Sequence, residues 1–232
     1  MRRPIGILGG MGPEATLLLQ KKLIDAVPAQ DDKDHIPLLI DMNPQVPSRI
    51  AHLIEGKGED PGPILAAMAQ RLEVAGAVAL AMPCNTAHHY AQTITNVAAL
   101  PLLNMVELAA DRAAEMLRPG EKVGLLASPA VRLTKLFDRA LEARGLAAVW
   151  PDDEDATLSA IRDIKENGPT QAARDTLHTA SEDTLAKGAK LQLVACSEFS
   201  MIADSVSAEG PALDTLDILV EAIVAVSNDT GT

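Results

Sequence analysis

The sequence has 232 residues, of which 47% are hydrophobic and 2% aromatic, and its formal net charge at pH 7 is −12. This negative balance argues against a nucleic-acid partner, because phosphate binding needs a basic face. No apolar run approaches the ~18 residues of a membrane span, and the opening "MRRPIGILGG" breaks on glycines too early for a secretion signal. We therefore expect a cytoplasmic enzyme or binding protein, with no membrane partner and with its two cysteines reduced.

Along the chain, short aliphatic runs alternate with alanine-rich segments of helical spacing. The predicted strands are Ile5–Leu8, Leu38–Met42, Ala77–Met82, Pro101–Asn104, Val123–Ala127, Ala147–Trp150 and Leu191–Ala195. The predicted helices include Pro63–Ala75, Val106–Leu117, Val131–Arg144 and Thr170–Lys187. This alternation is typical of βαβ units, so we expect an α/β fold in which mostly parallel sheets are flanked by helices.

The two halves of the chain resemble each other. "PIGILGGMGPEAT" near the start and "KVGLLASPAVRLT" from Lys122 both read as an aliphatic strand, a turn of small residues and a proline that opens a helix. Each is followed later by a strand that ends in a cysteine, Cys84 or Cys196. Open α/β sheets bind ligands at the carboxyl ends of their strands, so two halves related by pseudo-symmetry would bring both cysteines to one cleft.

A long connection rich in proline and glycine, "NPQVPSRIAHLIEGKGEDPGP", spans residues 43–63 and contains Arg49. Long irregular connections of this kind are usually lids or ligand-binding loops when they are ordered. We therefore expect a ligand-binding loop here.

The turn "GMGPEA" after the first strand matches the G-x-G-x-x-A pattern of dinucleotide-binding sites. That pattern works by placing a pyrophosphate on a helix N-terminus, where Pro13 removes a donor and Glu14 adds negative charge. The turn is better suited to offering the amides of Met11 and Gly12 to a carboxylate.

Cys84 and its neighbours allow three further interpretations. Cys84 and His88 have helical spacing and, with His89 and Cys196, could supply zinc ligands, although no second close pair exists. A disulfide between the cysteines conflicts with a reducing compartment. A cysteine hydrolase, with Cys84 as nucleophile and His88 or His178 as base, would leave Cys196 without a role.

The remaining interpretation uses both thiols. A carbon acid can be racemised by one base on each face: a thiolate removes the proton while a thiol returns one from the other side. The unperturbed pKa of cysteine, about 8.5, suits this task, and both cysteines come just before a helix, where the macrodipole favours a thiolate. Asn85, Thr86 and Ser197 would then supply donors for a carboxylate.

The motifs "IGILGGMGPEAT", "MPCNTAH" and "CSE" resemble those of the aspartate/glutamate racemase superfamily, and its cofactor-independent aspartate racemase branch most closely. The resemblance extends over essentially the whole chain. It implies two pseudo-symmetric α/β domains, residues 1–104 plus 212–232 and residues 105–211, with the active site in the cleft between them. It also implies an acidic amino acid as substrate, a two-thiol mechanism without pyridoxal phosphate or metal, and a homodimer.

The resemblance assigns roles to individual residues. Cys84 and Cys196 match the paired catalytic thiols, and Asn85 and Thr86 match donors to the substrate α-carboxylate. Two cations, Arg49 and Lys165, match residues that bind substrate carboxylates. Three further residues are expected to line the site: Met11, Ser128 and Ser197.

Some positions depart from the family pattern. The second thiol lies in "ACSE" where "GCTE" is usual, and the loop reads "PSRI" where "PDRT" is typical. These changes place strict aspartate specificity in question. Glu198 stands where glutamate racemases commonly carry a histidine, which favours the aspartate branch. Hydantoin racemase and maleate isomerase share the scaffold, and a binding protein that has lost turnover is the non-enzymatic alternative.

Overall fold

The computed structural model describes residues 2–229 and divides the chain into two compact units. The first unit comprises the described residues up to Met105 together with those from Leu216 onward, and the second is Val106–Thr215. Within the described residues, no helix combines the length and apolar character that a membrane span requires.

A four-stranded sheet forms the centre of the first unit. Its strands are β1 (Ile5–Gly9), β2 (Leu38–Met42), β3 (Ala79–Ala81) and β4 (Leu102–Leu103). Their order across the sheet is β2-β1-β3-β4, and every pairing is parallel. Every residue of β1 and β3 is buried, which explains why these strands read as continuous runs of small and aliphatic residues.

Helices cover this sheet and contribute the other half of its core. They are α1 (Pro13–Ala26), α2 (Arg49–Leu53), α3 (Gly62–Val74), α4 (Ala91–Thr95) and α10 (Thr215–Asn228), with 3₁₀ helices at Asp32–Asp34 and Thr86–Tyr90. Leu65 and Met68 of α3 pack with Leu8 and Leu80 of the central strands, and all four are fully buried. Aromatic residues are scarce, at 2% of the chain, and buried methionines such as Met68 and Met82 contribute to this core, where their flexible side chains suit irregular gaps.

The second unit repeats the same strand order. Its strands are β5 (Lys122–Leu126), β6 (Ala147–Val149), β7 (Ala189–Val194) and β8 (Ala212–Asp214), arranged β6-β5-β7-β8 with parallel pairing throughout. Its helices are α5 (Met105–Met116), α6 (Pro129–Thr134), α7 (Leu136–Glu142), α8 (Glu154–Asn167) and α9 (Gln171–Ala186), with a 3₁₀ helix at Phe199–Ser205.

The structure confirms the predicted α/β class with parallel sheets and contains each predicted strand. The single predicted helix Val131–Arg144 is wrong, because the chain breaks it into α6 and α7 at Lys135, whose φ is 54°. The Thr134 hydroxyl donates to the carbonyls of Ala130 and Val131, and the Arg139 guanidinium donates to the Thr134 carbonyl at 2.6 Å. These side-chain bonds satisfy carbonyls that a continuous helix would use for its backbone ladder.

The 43–63 connection is less irregular than its composition suggests, because it contains α2. The Ser48 hydroxyl accepts a hydrogen bond from the Ala51 amide at 3.2 Å and caps the first turn of this helix. The cap places Arg49 at the first helical position.

Gly10 joins the ends of β1 and β2 at close quarters. Its φ is 90°, and a Cβ there would lie 2.4 Å from the Asn43 carbonyl carbon. The Asn43 amide donates to the Gly9 carbonyl at 3.3 Å, and the Gly10 amide donates to the Thr16 hydroxyl at 3.0 Å. Only glycine meets both requirements, the positive φ and the missing side chain.

We predict that Gly10→Ala lowers the free energy of unfolding of the first unit by roughly 2–5 kcal/mol, because the unfavourable φ and a backbone clash add together. Gly76→Ala is the matched control: its φ is 96°, but a Cβ there meets nothing within 4 Å. The control should lose only about 1–2 kcal/mol. Urea unfolding of both variants measures the difference, and equal losses would show that the contact with Asn43 is unimportant.

Candidate functional site

The loops that follow β1 and β3 carry two of the predicted site residues in the first unit. Because these strands are adjacent and parallel, the loops leave the same edge of the sheet. Met11 and Cys84, 2% and 7% exposed, belong to one buried apolar cluster of the first unit. Both predicted residues therefore lie buried in loops that leave the same edge of the sheet.

The turn after β3 fixes the backbone of Cys84. The Cys84 carbonyl accepts from the Ala87 amide at 3.2 Å and from His88 Nδ1 at 2.9 Å. The next residue, Asn85, is buried, while Thr86 is half-buried at the start of the 3₁₀ helix. The predicted donors Asn85 and Thr86 thus lie directly beside the thiol along the chain.

His88 supports this turn through both of its ring nitrogens. Nε2 accepts from the Met105 amide at 3.1 Å, so the ring proton lies on Nδ1 and is donated to the Cys84 carbonyl. Burial lowers the pKa of His88 and keeps the imidazole neutral. A ring held in this way holds the Cys84 turn and is not free to act as the base of a cysteine hydrolase.

Arg49 lies half-buried at the start of α2. One terminal nitrogen, Nη1, donates to the Pro47 carbonyl at 3.0 Å. Its Nε is buried and has no hydrogen-bond partner among the residues that the structure describes. A buried N–H without an acceptor is costly, so this position is suited to an oxygen supplied from outside the protein.

Tyr90 provides a second such group in the same unit. Its side chain is 6% exposed, and its hydroxyl lacks a partner within residues 2–229. Burial first, and then the negative charge of Asp60, raise the pKa of Tyr90 to about 12, whereas the charge of Arg49 opposes them. Cys84 also influences this pKa, so the phenol, the guanidinium and the thiol share one electrostatic environment.

The second unit places its predicted residues at the corresponding edge. Ser128 follows β5 and caps α6, since its hydroxyl accepts from the Ala130 amide at 3.2 Å. Cys196 and Ser197 follow the neighbouring strand β7, and both are buried. The capping bond gives Ser128 a structural role at this edge, so it is a weaker candidate for substrate contact than the residues after β7.

Cys196, Glu198 and Lys165 form a connected group. The Cys196 thiol donates to Glu198 Oε2 at 3.1 Å, while Glu198 Oε1 pairs with the Lys165 ammonium. Lys165 reaches this turn from α8, so two elements far apart in sequence meet here. Lys165 is therefore linked to Cys196 through an internal carboxylate, Glu198.

The environment of Cys196 favours its protonated form. Burial raises the pKa of the thiol well above its usual value, and the charge of Glu198 together with its hydrogen bond raises it further. Lys165 acts in the opposite direction. At neutral pH this thiol carries its proton.

Two candidate residues, Tyr90 and Glu198, were not predicted as site residues. Tyr90 is the single tyrosine of the chain, and it lies at the end of the 3₁₀ helix that begins just after Cys84. Glu198 lies two residues after Cys196 inside the quoted "CSE" motif. In both cases the signal was a polar residue a few positions after a cysteine, but its burial becomes visible only in the folded chain.

Both cysteines are buried free thiols. Across residues 2–229, the structure contains no group of three or more histidine, cysteine, aspartate or glutamate side chains arranged to hold a metal ion.

Comparisons with known proteins show the family and the fold to which the chain is similar. Residues 8–223 match the family described as "Asp/Glu/Hydantoin racemase". The chain is 26% identical over 229 residues to the "Broad specificity amino-acid racemase RacX" of Bacillus subtilis, a match covering 95% of this chain and 96% of that protein. It is also similar to the structure of Picrophilus torridus aspartate racemase, with a TM-score of 0.84, 27% identity and coverage of 97% and 94% of the two chains.

More distant structures share the fold. The glutamate racemase of Francisella tularensis, solved in complex with D-glutamate, matches with a TM-score of 0.69 and 16% identity. The match covers 100% of this chain and 85% of that one.

We predict a pH-dependent stability that depends on His88. Its pKa in the folded chain lies below the ordinary value of 6.5, so its contribution is complete above pH 6.5 and is lost as the pH falls below it. Below pH 6.5, the unfolding free energy of the wild type should fall more steeply than that of His88→Gln, by up to about 1.4 kcal/mol per pH unit. Denaturant unfolding between pH 5 and 8 measures this slope.

The control is His178→Gln, which removes an exposed imidazole from α9. It should leave the slope as it is in the wild type. Identical slopes in wild type and His88→Gln would contradict the neutral, doubly bonded histidine.

Proposed function

Because the chain belongs to the Asp/Glu/hydantoin racemase family, we propose that it interconverts the enantiomers of aspartate, and to a lesser extent glutamate, with Cys84 and Cys196 as its acid/base pair. Membership of this family supports racemase activity on amino acids as the general assignment. The pair of catalytic thiols and the acidic substrate are more specific proposals, and each rests on its own observation.

The observation that carries the two-thiol proposal is the equivalent position of the cysteines in two sheets of identical strand order. Cys84 follows β3 and Cys196 follows β7, each the third strand of its unit in both sequence and spatial order. Each then leads into a 3₁₀ helix. A repeated scaffold that carries one thiol at each equivalent loop suits a reaction that needs one acid/base group on each face of a carbon atom.

The chemistry requires both thiols to reach the same α-carbon. In one direction, a cysteine thiolate removes the α-proton and becomes a thiol, and the electron pair of the broken C–H bond stays on the carbon. The other thiol then gives its proton to the opposite face of that carbon and is left as a thiolate. The reverse direction exchanges the two roles, so neither a metal nor pyridoxal phosphate is needed in this proposal.

An acidic substrate is supported by the donors of the first unit. Arg49 Nε and the Tyr90 hydroxyl are buried donors that lack a protein acceptor among the described residues. A carboxylate offers two acceptor oxygens and a charge complementary to the guanidinium. We propose that these donors hold one substrate carboxylate and that Lys165 faces the other, while Met11, Asn85, Thr86, Ser128 and Ser197 line the site.

A second candidate is a racemase of broad specificity that also accepts neutral amino acids. The charge of Lys165 is already balanced by Glu198, so this cation does not require a substrate carboxylate. The similarity to a broad-specificity racemase of Bacillus subtilis points in the same direction. Asparagine discriminates between the two candidates, because it has nearly the shape of aspartate but lacks the side-chain charge.

We expect the reduced protein to form D-aspartate from L-aspartate, with deuterium at the α-carbon when the solvent is D₂O. Both Cys84→Ala and Cys196→Ala should abolish racemisation, because each removes the proton donor or acceptor on one face. Chiral chromatography and loss of the α-proton NMR signal measure the two events. The protein should first be dialysed against a chelator, with no pyridoxal phosphate added.

The same assay with L-glutamate and L-asparagine ranks the substrates. Aspartate turnover at least about 10-fold above asparagine would support the acidic assignment, and comparable rates would favour broad specificity. Racemisation that survives Cys196→Ala would contradict the two-thiol mechanism. The absence of exchange with all three amino acids would contradict the proposed activity, and hydantoins and maleate would be tested next.

We predict that Tyr90→Phe raises the KM for aspartate about 10-fold with a smaller effect on kcat, because it removes one hydrogen bond to a charged group in both ground and transition states. The variant should unfold with an unchanged or higher free energy, since the hydroxyl bonds to no described residue. Steady-state kinetics and urea unfolding measure the two effects. Loss of stability with an unchanged KM would show that the hydroxyl is structural.

A further inference from the structure

The turn after β7 places a carboxylate between a thiol and an ammonium group. Glu198 uses one oxygen for the Cys196 thiol, at 3.1 Å from Sγ, and the other for Lys165. Each carboxylate oxygen of Glu198 thus has its own partner, and the thiol proton of Cys196 is directed at Glu198 Oε2.

The Glu198 carboxylate and the Cys196 thiol are both buried, so the carboxylate needs a partner. The Glu198 side chain is 8% exposed and Cys196 is 6% exposed, and the thiol packs among apolar residues that include Leu126, Ile161 and Phe199. An ionised carboxylate in such a place needs a partner of opposite charge. Lys165 supplies that charge while its own side chain remains 37% exposed, so the ion pair lies at the border between core and solvent.

We propose that Glu198 is a positioning residue that holds the Cys196 proton on sulfur, with Lys165 anchoring its second oxygen, so that the free protein presents Cys196 as the proton donor. The role of Cys196 as proton donor rests on the proposed racemase function. The protonation of the Cys196 thiol does not depend on that function, because it is a property of the folded chain.

The first unit has no equivalent of this carboxylate at the matching position. Two residues after Cys84 the chain has Thr86, which is uncharged, where the second unit has Glu198. The His88 ring bonds the Cys84 carbonyl and leaves the sulfur aside. Two thiols at equivalent places in the two sheets therefore differ in the group that controls their proton.

Two other charged residues of the second unit are bonded to different partners. Arg174 of α9 bonds to Asp204 at 2.6 Å and to the Ser205 hydroxyl at 3.0 Å. Asp214, at the end of β8, accepts from the Ser200 hydroxyl at 2.7 Å. Among the charges described, Glu198 and Lys165 are those that act on the pKa of the Cys196 thiol.

The proposal has a kinetic consequence. When Cys196 donates, its S–H bond breaks, a C–H bond forms on the α-carbon, and a thiolate is left beside the Glu198 carboxylate. Lys165 then offsets two negative charges instead of one. Because the enantiomers have equal free energies, kcat/KM must be equal in the two directions, and the difference between the thiols can appear only in kcat and KM taken separately.

The test measures the ionisation of Cys196 in a Cys84→Ala background, where it is the sole cysteine. The alkylation rate with iodoacetamide, followed by intact-mass spectrometry, reports the thiolate as a function of pH. Glu198→Gln removes the neighbouring negative charge and should lower the midpoint by about 1–3 pH units. Lys165→Met removes the charge that favours the thiolate and should raise the midpoint.

Glu166→Gln is the matched control, because Glu166 is an exposed carboxylate next to Lys165 on α8. It should leave the midpoint unchanged. A Glu198→Gln midpoint equal to that of the parent would overturn the proposal. A fall in both Glu198→Gln and Lys165→Met would also overturn it, because it would indicate that both changes merely open the site to water.

The experiment separates the two proposals. The expected opposite shifts in the Cys84→Ala background, with no racemisation of any amino acid by the protein that retains both cysteines, would uphold the role of Glu198 and contradict the proposed activity. Racemisation with no shift in Glu198→Gln would do the reverse.

Discussion

Parallel pairing within each sheet is the constraint on which the candidate site depends. A parallel strand can be reached only by a crossover, so every loop that follows a strand leaves the sheet at the same edge. In each unit, the first and third strands in sequence order are neighbours in the sheet. The loops that follow them therefore lie next to each other at this edge. Side chains in those loops decide the chemistry, and Gly10 allows the loop after β1 to approach Asn43, which follows β2.

The two sheets have the same strand order, but the surroundings of their cysteines differ. In the first unit, a neutral imidazole bonds the carbonyl of the cysteine and so controls its backbone. In the second, a carboxylate bonds the thiol and so controls its proton. Both contacts come from residues just after the cysteine, at spacings of four and two positions. Small differences in two short loops therefore make the two thiols chemically unequal, although the strands that carry them are equivalent in order and direction.

The sequence predicted the α/β class and the strands well, because strands buried on both faces read as uninterrupted aliphatic runs. It failed where side chains override the local pattern. Nothing in the composition around Lys135 marks a helix break, since the break depends on Thr134 and Arg139 bonding to carbonyls. The contact between Lys165 and Glu198 joins elements distant along the chain, so no local signal could reveal it. Strand β8 was missed because its residues, Ala-Leu-Asp, include two types that are depleted in strands and form no aliphatic run.

The first unit is built from two separate segments of the sequence, and this affects the order in which the units can fold during translation. Helix α10 completes that unit: the Arg3 amide donates to the Ser227 carbonyl at 2.9 Å, and Leu219 and Ile223 are fully buried. The second unit lies between its two segments in the sequence. During translation the second unit can therefore fold as soon as it emerges, whereas the first must wait with its α10-binding surface exposed until the last helix leaves the ribosome.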